Sequence, residues 1–523
     1  MRTNLHHLLR QTASRCDAAP ALTYREQTVT YGELWRRVAA AAGGLLSMGL
    51  ERGDRVGVYL EKRIDTVTAI FGTSAAGAVF VPVNHVLKPP QVGYILTDCD
   101  VRVLVTSAER LALLRDELKS CPALERVILV DPPAELPPNG DGYGVHAWSE
   151  WLDSGCAPPV SPVIDLDMAA ILYTSGSTGK PKGVVLSHRN LIVGAESVST
   201  YLGNTADDVI LSALPLSFDA GFSQLTTAFA VGAHVILVNY LRPAEVVRLC
   251  ARHRVTGLTC VPPLWLQLTD LDWPPEATAH LRYFANTGGR MPKATLDRLR
   301  HIFPQADPYL MYGLTEAFRS TYLDPAEVDR RPDSIGKAIP NAEIIVARPD
   351  GSRCAPGEEG ELVHRGALVA LGYWNDPIRT AERFRPAPGS EAGWRAPELA
   401  VWSGDAVVAD EDGFLYFVGR RDEMIKTSGY RVSPTEVEEV AYDSGLVRDA
   451  VALGVDDPRL GQRIVLLVTA AEGVDLTTDR LLSMMRQQLP LFMVPSEVIV
   501  RAEMPRSPNG KFDRNLLKQE LVA

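Results

Sequence analysis

An alternation of short apolar runs with stretches of helical spacing, over about the first 400 residues, constrains the fold of this chain most strongly. A strand that is followed by a helix and a further strand is typical of βαβ units, which build largely parallel sheets. The pattern therefore predicts an α/β fold with mixed, largely parallel sheets. The β-rich runs lie at 55–60, 101–106, 126–130, 209–214, 234–238 and 257–261, and helical spacing lies at 31–48 and 243–253.

The C-terminal part of the chain has a different rhythm and predicts a second, smaller domain. Ser433, Pro434 and Glu436 are spaced as a helix start, with Ser as the N-cap and Pro at the first helical position. Strands are predicted near 450–454 and 464–469, and a helix near 479–487. Because 523 residues exceed what one core holds, we predict a large N-terminal domain over residues 1–421 and a small α+β domain over residues 422–523.

Composition narrows the class of function. The 53 Lys and Arg and the 64 Asp and Glu give a net charge of −11, which argues against a general nucleic-acid binder. The seven cysteines form no CxxC pair, so neither a disulfide framework nor a zinc site is expected. The N-terminus has no apolar signal core, and the uncharged stretch 66–83 predicts a buried helix that leads into a buried strand. We expect a cytoplasmic protein without a nucleic-acid or membrane partner.

A run of Gly, Ser and Thr carries the strongest functional signal. Residues 173–183 read YTSGSTGKPKG and follow an apolar run at 169–172. Small residues let backbone N–H groups approach an anion, and hydroxyl groups and two lysines add donors and positive charge. The run is not a Walker A loop, because Thr174 stands at the first Gly position and Pro181 follows Lys180. It predicts a polyphosphate-binding loop rather than a flexible surface turn.

Four further motifs follow this loop along the chain. The loop resembles the phosphate loop of the adenylate-forming (ANL) superfamily, which includes acyl-CoA synthetases, adenylation domains of nonribosomal peptide synthesis and luciferases. MYGLTE at 311–316, WSGD at 402–405, GRRD at 419–422 and PNGKFDR at 508–514 resemble the YGxTE, TGD, GRxD and GKxxR motifs of that superfamily. The resemblance covers residues from about 20 to 515. It implies an AMP-forming ligase that makes an acyl-adenylate from ATP and a carboxylate and releases pyrophosphate.

The resemblance also implies the residues of the ATP site. Glu316 would bind Mg²⁺, a hard cation that shares its oxygen ligands with phosphates. Asp405 would accept hydrogen bonds from the ribose hydroxyls, and Tyr312 would stack on adenine. The other implied ATP-binding residues are Thr174, Ser175, Gly176, Ser177, Thr178 and Lys182 at the phosphates, Gly288 and Gly289 beside adenine and substrate, Gly313 and Thr315 in the YGxTE motif, and Arg420 at ribose or phosphate.

Two residues near the C-terminus would act through a movement of the small domain. Lys511 would reach the substrate carboxylate and the α-phosphate, and it is the third implied catalytic residue beside Glu316 and Thr174. Asp422 would be the hinge of a mobile C-terminal domain. In the superfamily this domain rotates after adenylation and exchanges the Lys511 loop for a face that admits a thiol acceptor.

The segment 215–223, PLSFDAGFS, bears on the substrate. Many acyl-CoA synthetases carry a PLFH-type motif here, whereas Phe218-Asp219 resembles amino-acid adenylation domains, in which the Asp pairs with the substrate ammonium. A charged hydrogen bond of this kind contributes about 1.5–3 kcal/mol, and a buried carboxylate facing a plain fatty acid would stay unpaired. The other interpretation of Asp219 is a cap on a helix that begins near Ala220. We favour recognition of an amino group.

Arg319 is the unusual residue of the implied substrate pocket. It could pair with a second carboxylate of an acidic substrate, be held by Glu316 or Asp219, or point outward. The stretch 312–323 resembles both the free-standing β-amino-acid adenylation enzymes of macrolactam pathways and the AMP-forming ligases found beside exosortase systems. The implied pocket positions are Asp219, Ala220, Ser223, Cys260, Ala285, Thr287, Met311, Arg319 and Ser320.

The acceptor of the activated acid is expected in trans, because the sequence after Lys511 is too short for a carrier domain. The favoured function is activation of an amino acid, with a β-amino acid as the favoured substrate, and its transfer to the phosphopantetheine thiol of a discrete carrier protein. The alternative is an AMP-forming acyl-CoA ligase for a non-amino acid. A luciferase-like oxidase is disfavoured, because nothing in the sequence marks an oxygenation site. A scaffold without activity is disfavoured, because Glu316, Asp405 and Lys511 are all present.

Overall fold

The fold is built from helices packed on mixed sheets, which confirms the predicted α/β class. A computed structural model describes residues 2–153, 163–174, 181–390, 394, 396–420, 424–471, 473–505 and 512–522. The α-helices are α1 (His7–Arg15), α2 (Tyr31–Ser47), α3 (Ile64–Ala76), α4 (Pro89–Asp98), α5 (Ala108–Leu118), α6 (Trp148–Asp153), α7 (His188–Tyr201), α8 (Asp219–Val231), α9 (Ala244–His253), α10 (Pro262–Thr269), α11 (Pro275–Thr278), α12 (Lys293–Ile302), α13 (Pro377–Arg383), α14 (Pro434–Asp443), α15 (Thr478–Gln488) and α16 (Arg514–Val522).

The strands divide among three sheets. They are β1 (Pro20–Tyr24), β2 (Gln27–Thr30), β3 (Arg55–Val58), β4 (Val79–Pro82), β5 (Val101–Ser107), β6 (Arg126–Val130), β7 (Gly144–Ala147), β8 (Met168–Thr174), β9 (Lys182–Ser187), β10 (Val209–Ser212), β11 (His234–Leu237), β12 (Gly257–Cys260), β13 (Tyr283–Asn286), β14 (Asp307–Tyr312), β15 (Thr321–Leu323), β16 (Ser334–Ala338), β17 (Ala342–Ala347), β18 (Glu359–Gly366), β19 (Gly372–Tyr373), β20 (Phe384–Pro386), β21 (Leu399–Ala409), β22 (Leu415–Arg420), β23 (Ile425–Thr427), β24 (Tyr430–Val432), β25 (Val447–Asp457), β26 (Gly461–Ala470) and β27 (Glu497–Val500).

The first sheet is parallel in its centre and antiparallel toward both ends, over several strands on the β17 side and at the single pair β1–β2 on the other. Its strand order is β17-β18-β21-β22-β16-β15-β14-β13-β12-β10-β11-β1-β2, and β20 pairs with β21. The strands β14, β13, β12, β10, β11 and β1 run parallel to their neighbours in that order. Carboxyl ends of parallel strands meet at one edge of a sheet, which is where ligands bind in open α/β sheets.

The second sheet has the order β19-β9-β8-β4-β3-β5-β6-β7 and is parallel from β8 to β7. Helix α3 lies in the core between the two large sheets. All its residues except Asp65 are buried, as its apolar composition on every side requires. The predicted helix and strand within 66–83 are thus confirmed as α3 and β4.

The predicted β-rich runs are confirmed as β3, β5, β6, β10, β11 and β12, and the helical stretches as α2 and α9. The Pro and Gly content of residues 131–162 predicts a long surface excursion inside the large region, and this prediction needs correction. The Pro- and Gly-rich stretch 131–162 is not simply a surface excursion, because 144–153 form β7 and α6, and β7 extends the second sheet beside β6. The polar, turn-rich flanks of this short strand conceal its pairing.

The described residues from 424 onward, 424–471, 473–505 and 512–522, form the C-terminal unit, with a sheet of order β24-β23-β26-β25 and with β27 parallel to β26. The predicted start of α14 is confirmed, since Ser433 caps the helix by accepting a hydrogen bond from the Glu436 N–H. Apolar residues fill both faces of the sheet. One face packs on α14 and α15, and Phe512 and Leu517 pack on the other. The domain boundary near Asp422 stays a prediction, because residues 421–423 lie outside the described residues.

Candidate active site

A cavity of about 1160 Å³ opens at the carboxyl ends of the parallel strands of the first sheet. Its walls come from the segments that follow β10, β12, β13 and β14, and from the β23–β24 hairpin of the C-terminal unit. Each segment supplies only a few residues because each strand ends at this edge. Topology alone therefore gathers residues that are far apart in the sequence into one site.

Many of the predicted ATP-binding residues surround this cavity. Those among its lining residues are Thr174, Gly288, Gly289, Tyr312, Gly313 and Thr315. Ser175, Gly176, Ser177, Thr178, Asp422 and Lys511 lie outside the described residues. Of Arg420 only the backbone is described, and it pairs with Asp405 between β22 and β21.

The strands that flank the predicted phosphate loop, β8 and β9, pair antiparallel. Thr174 ends β8 and is paired with Lys182, which begins β9. The Thr174 Oγ1 atom is buried and has no hydrogen-bond partner among the described residues. An unpaired buried hydroxyl is costly. A phosphate oxygen of a bound nucleotide would satisfy it.

Lys182, Glu316 and Tyr373 form a compact buried cluster. The Lys182 Nζ donates to Glu316 Oε1 at 2.9 Å and to the Tyr373 hydroxyl at 2.7 Å. That hydroxyl donates to the same Glu316 Oε1 at 2.6 Å. Burial opposes ionisation of Glu316, but the charges of Lys182, Arg383 and Arg431 outweigh it and hold the pKa of Glu316 well below its usual range. Burial also lowers the pKa of Lys182, although Glu316 opposes that shift.

The donor set at Glu316 fits a magnesium ion that is shared with a nucleotide. Both hydrogen bonds recorded for its carboxylate reach Oε1. Mg²⁺ is commonly held by one or two carboxylates together with phosphate oxygens and water. Among the described residues there is no group of three or more His, Cys, Asp or Glu side chains that would hold a metal ion without such help.

Tyr312 and Asp405 contact each other directly. The Tyr312 hydroxyl donates to Asp405 Oδ2, and both side chains are buried. Asp405 is held from behind, because its N–H donates to Ser403 Oγ at 3.1 Å and Ser403 in turn donates to the Leu362 carbonyl at 2.7 Å. The Tyr312 ring faces Phe417 at 6.4 Å, and both rings line the cavity. An aromatic wall beside a fixed carboxylate suits a nucleoside.

Asp219 and Arg319 form an ion pair in the cavity wall. The Arg319 Nη1 donates to Asp219 Oδ2 at 2.7 Å and to the Phe318 carbonyl at 3.0 Å. The Arg319 side chain is 3% exposed and that of Asp219 is 15% exposed. Of the partners left open for Arg319 in the sequence analysis, the structure selects Asp219. Burial raises the pKa of Asp219, and the neighbouring Arg319 charge opposes that shift.

Local geometry explains how both side chains reach the cavity. Helix α8 begins at Asp219 after Phe218, and no side chain caps its start. Asp219 is therefore the first residue of the helix and not its cap. On the other side, a short 3₁₀ helix Thr315–Ala317 ends at Phe318, whose φ of 59° is unusual for a residue with a side chain. This left-handed turn leads directly into Arg319.

The other predicted pocket residues divide into two groups. Ala220, Thr287 and Met311 line the cavity, together with Asp219 and Arg319. The structure places the remaining four behind that wall. Ser223, Cys260, Ala285 and Ser320 are buried without lining the cavity; Ser223 Oγ lies 3.4 Å from Thr227 Oγ1, and Ser320 Oγ lies 2.9 Å from His364 Nδ1.

Sequence reasoning missed several residues of the site. Tyr373, Lys62 and Tyr430 carry no motif, and their partners lie far away in the chain. Tyr430 meets the Phe218 ring at 5.3 Å and stacks on Phe492 at 3.7 Å, so the C-terminal unit closes one side of the cavity beside Asp219. For Tyr430, the sequence offers one feature that could have pointed to it, its position directly after the turn Thr427-Ser428-Gly429. The six cysteines that the structure describes are free.

Comparisons with known proteins agree with this arrangement. A sequence model of the family described as AMP-binding enzyme matches residues 9–374, and one described as AMP-binding enzyme C-terminal domain matches residues 436–511. An L-proline–[L-prolyl-carrier protein] ligase of Streptomyces coelicolor is 36% identical over 522 residues, covering 97% of this chain and 94% of that protein. A feruloyl-CoA synthase of an Amycolatopsis species is 31% identical, with 94% of each chain covered.

A solved structure supports the fold. The amide bond synthetase McbA of Marinactinospora thermotolerans superposes with a TM-score of 0.85 over 99% of both chains, at 23% identity. At this identity the likeness concerns the fold alone. Among the helices of the described residues, none has both the length and the apolar character needed to cross a membrane.

Proposed function

This chain belongs to the AMP-binding enzyme family, and from that premise we propose that it activates an amino acid with ATP and transfers it to the thiol of a separate carrier protein. The chain is an adenylate-forming, AMP-forming ligase. The observation that carries the proposal is the Asp219 carboxylate in the cavity wall. A buried carboxylate at a substrate site calls for a cationic or hydrogen-bonding partner.

The ATP end of the cavity supplies binding and electrostatic stabilisation. Thr174 and Lys182 would contact the phosphates, and Glu316 would hold Mg²⁺. When bound, Mg²⁺ would offset charge on the phosphate oxygens. Lys182 is already oriented by Glu316 and Tyr373, so it needs little reorganisation to meet an anion. Asp405 and Tyr312 would bind the ribose and the adenine.

At the substrate end, the ammonium group would share Asp219 with Arg319. Asp219 would then accept from two cations, which is favourable for a carboxylate with several lone-pair sites. We propose a β-amino acid as one substrate class, on the resemblance of the 312–323 stretch. L-Proline is the α-amino acid to test first, because the printed name of the 36% identical relative states that substrate.

The C-terminal unit supports a transfer step after adenylation. Tyr430 packs against Phe218 on the cavity side, together with one face of the unit's sheet. Phe512, which follows Lys511 in the chain, packs in the cluster on the opposite face. The two faces fit the proposed exchange about Asp422, with Lys511 serving adenylation and the Tyr430 face serving the thiol acceptor. The relative that loads a prolyl carrier protein supports a carrier as that acceptor.

ATP–pyrophosphate exchange tests the proposal. The wild type and Asp219→Ala would be assayed with L-proline, other α-amino acids, β-amino acids including 3-aminobutyrate and 3-methylaspartate, and fatty acids of several lengths. We expect exchange with amino acids only, and a loss of about 10²-fold in kcat/KM in Asp219→Ala. Exchange with plain acids that survives the substitution would overturn amino recognition.

An AMP-forming acyl-CoA ligase is the second candidate. Arg319 already neutralises Asp219, so the pocket does not strictly require a cationic substrate. The 31% identical feruloyl-CoA synthase is a CoA ligase by its printed name. Product analysis with free CoA and with a phosphopantetheinylated carrier protein separates the two candidates. Transfer to CoA at a rate equal to or above that to the carrier would favour the second.

A further inference from the structure

Lys62 is a buried cation that the proposed chemistry does not use. It lies in the connection between β3 and α3, and it is 5% exposed. Its Nζ donates to three consecutive carbonyls at the end of β10, those of Ser212 at 2.9 Å, Ala213 at 2.8 Å and Leu214 at 3.0 Å. An ammonium has three donors. All three N–H donors of the ammonium group therefore bond to one short backbone segment.

The backbone of Lys62 is fixed as well. Its N–H donates to Asn239 Oδ1 at 3.0 Å, and its carbonyl accepts from Asn239 Nδ2 at 2.7 Å. Asn239 follows β11, which is the parallel neighbour of β10. Lys62 thus joins the second sheet to two strands of the first sheet. Both Lys62 and Asn239 line the cavity.

The charge of Lys62 has no carboxylate partner among the ion pairs of the described residues. Burial lowers the pKa of Lys62 to about 7. Burying a cation without a counter-ion costs free energy of desolvation. A hydrocarbon side chain would fill the same space without that cost. We therefore expect Lys62 to be needed for the hydrogen bonds that it donates to the three carbonyls.

Those carbonyls begin the segment that delivers Asp219. The Leu214 N–H donates to Gln224 Oε1 at 3.3 Å, and the Phe218 N–H donates to the Pro215 carbonyl at 3.2 Å. The turn is so tight that a Cβ on Gly221 would lie 1.9 Å from the Pro215 carbonyl oxygen. A shift at 212–214 would consequently be passed on to the start of α8.

We propose that Lys62 is a positioning residue for substrate selection, which fixes the segment 212–218 so that Asp219 meets the substrate at the required place. This inference rests on the proposed function in that the substrate group beside Asp219 is an amine. Lys62 itself donates no hydrogen bond to the substrate, because its three donors are all engaged by backbone carbonyls.

Lys62→Met tests the proposal in ATP–pyrophosphate exchange. The thioether side chain keeps the length and fills the space, but it donates no hydrogen bond. We expect the KM for the amino acid to rise about tenfold while the KM for ATP stays within about twofold. Lys119→Met is the matched control, since Lys119 is an exposed lysine whose ion pair among the described residues is with the exposed Asp116. It should leave both constants unchanged.

Amide hydrogen exchange supplies a second readout that does not depend on activity. In Lys62→Met, exchange should accelerate at residues 212–218 and remain as in the wild type at β13 and β14. Equal rises in both KM values, or faster exchange throughout the large sheet, would mean general destabilisation and would overturn the proposal. If Lys62→Met does not fold, Asn239→Leu loosens Lys62 instead, because it removes the two hydrogen bonds that fix the Lys62 backbone, and the same two readouts apply.

The two proposals fail separately. A wild type without amino-acid-dependent exchange would overturn the proposed function. The hydrogen-exchange comparison would still decide whether Lys62 holds 212–218. Normal amino-acid activation in Lys62→Met, with an unchanged KM and an unchanged exchange pattern, would overturn the positioning role alone.

Discussion

At the residue scale, the site depends on charges that are buried in pairs. Lys182 with Glu316 and Arg319 with Asp219 each place opposite charges within 3 Å of one another and away from water. Desolvation makes an unpaired member of such a pair costly, whereas the intact pair is close to neutral for stability. Each of these residues is therefore constrained by its partner as well as by the ligand.

Glu316→Gln should destabilise the protein, because it leaves Lys182 buried without a counter-charge. We expect a loss of about 3–5 kcal/mol at pH 7, measured by equilibrium denaturation. The folded-state pKa of Glu316 lies below its unfolded value, so its stabilising contribution is complete above about pH 4.5 and is lost as the pH falls through the folded-state pKa. The difference between variant and wild type should shrink below pH 4.5.

The exposed Glu411→Gln is the control for that series, and it should follow the wild type at every pH. A difference between Glu316→Gln and the wild type that widens below pH 4.5 would contradict the sign of the shift. A difference that is absent at pH 7 would mean that Lys182 finds another partner.

At the element scale, periodicity predicted most strands of the parallel core, whereas the structure differed from the prediction in the connecting segments. Buried parallel strands such as β6 are continuous apolar runs with sharp boundaries, so the sequence marks them well. The strand β7 is short and lies in a Pro- and Gly-rich region, and it pairs only because β6 offers a free edge. Edge pairing depends on the neighbouring strand and leaves little local signal.

The same reasoning separates the predicted from the unpredicted parts of the site. Asp219, Glu316 and Asp405 lie in motifs and could be named in advance. The partner of Arg319 could not, since Asp219 is 100 positions away and no pattern sets the distance between them. Lys62 and Tyr373 gave no signal, because their contacts lie 150 and 191 positions away.

Gly221→Ala tests how tightly the start of α8 is built. The added Cβ would lie 1.9 Å from the Pro215 carbonyl oxygen and 2.8 Å from that of Leu214, and backbone cannot move aside cheaply. We expect a loss of about 1–3 kcal/mol in unfolding free energy, together with a higher KM for the amino acid. Unchanged stability would mean that the 214–221 turn relaxes freely, and it would weaken the case for a rigid Asp219.

At the scale of the whole molecule, the C-terminal unit contacts the large region through a few polar and aromatic residues. Gln91 Nε2 donates to Glu436 Oε1 at 2.8 Å, close to the Tyr430–Phe492 stack. Burial raises the pKa of Glu436 to about 7, with Gln91 opposing the shift and Glu439 adding to it. Burial of Glu436 therefore favours its protonated carboxyl group, whereas the Gln91 hydrogen bond favours the carboxylate.

Glu436→Gln should stabilise the protein at high pH. The folded-state pKa of Glu436 is raised, so the contribution of its protonated form is complete below about pH 4.5 and is lost as the pH rises through about 7. The amide imitates that form at every pH. In melting curves recorded from pH 5 to 8, the Tm of the variant relative to the wild type should increase with pH. At pH 8 the Tm of the variant should be higher by roughly 2–4 °C.

Glu411→Gln again serves as the control for a lost surface charge. A Tm difference in favour of Glu436→Gln that is greatest at pH 5 and vanishes at pH 8 would contradict the raised pKa. A difference of the same size at all pH values would point to packing rather than ionisation.

The cavity wall is assembled from short segments that follow β10, β12, β13 and β14, while the strands themselves are paired beneath it. Such a wall is modular. Exchanging one segment alters one side of the acid-binding space and leaves the hydrogen-bond ladders that support the others intact. Substrate preference in a chain of this design is thus free to drift in small, separable steps, and a new acid specificity can be grafted one segment at a time.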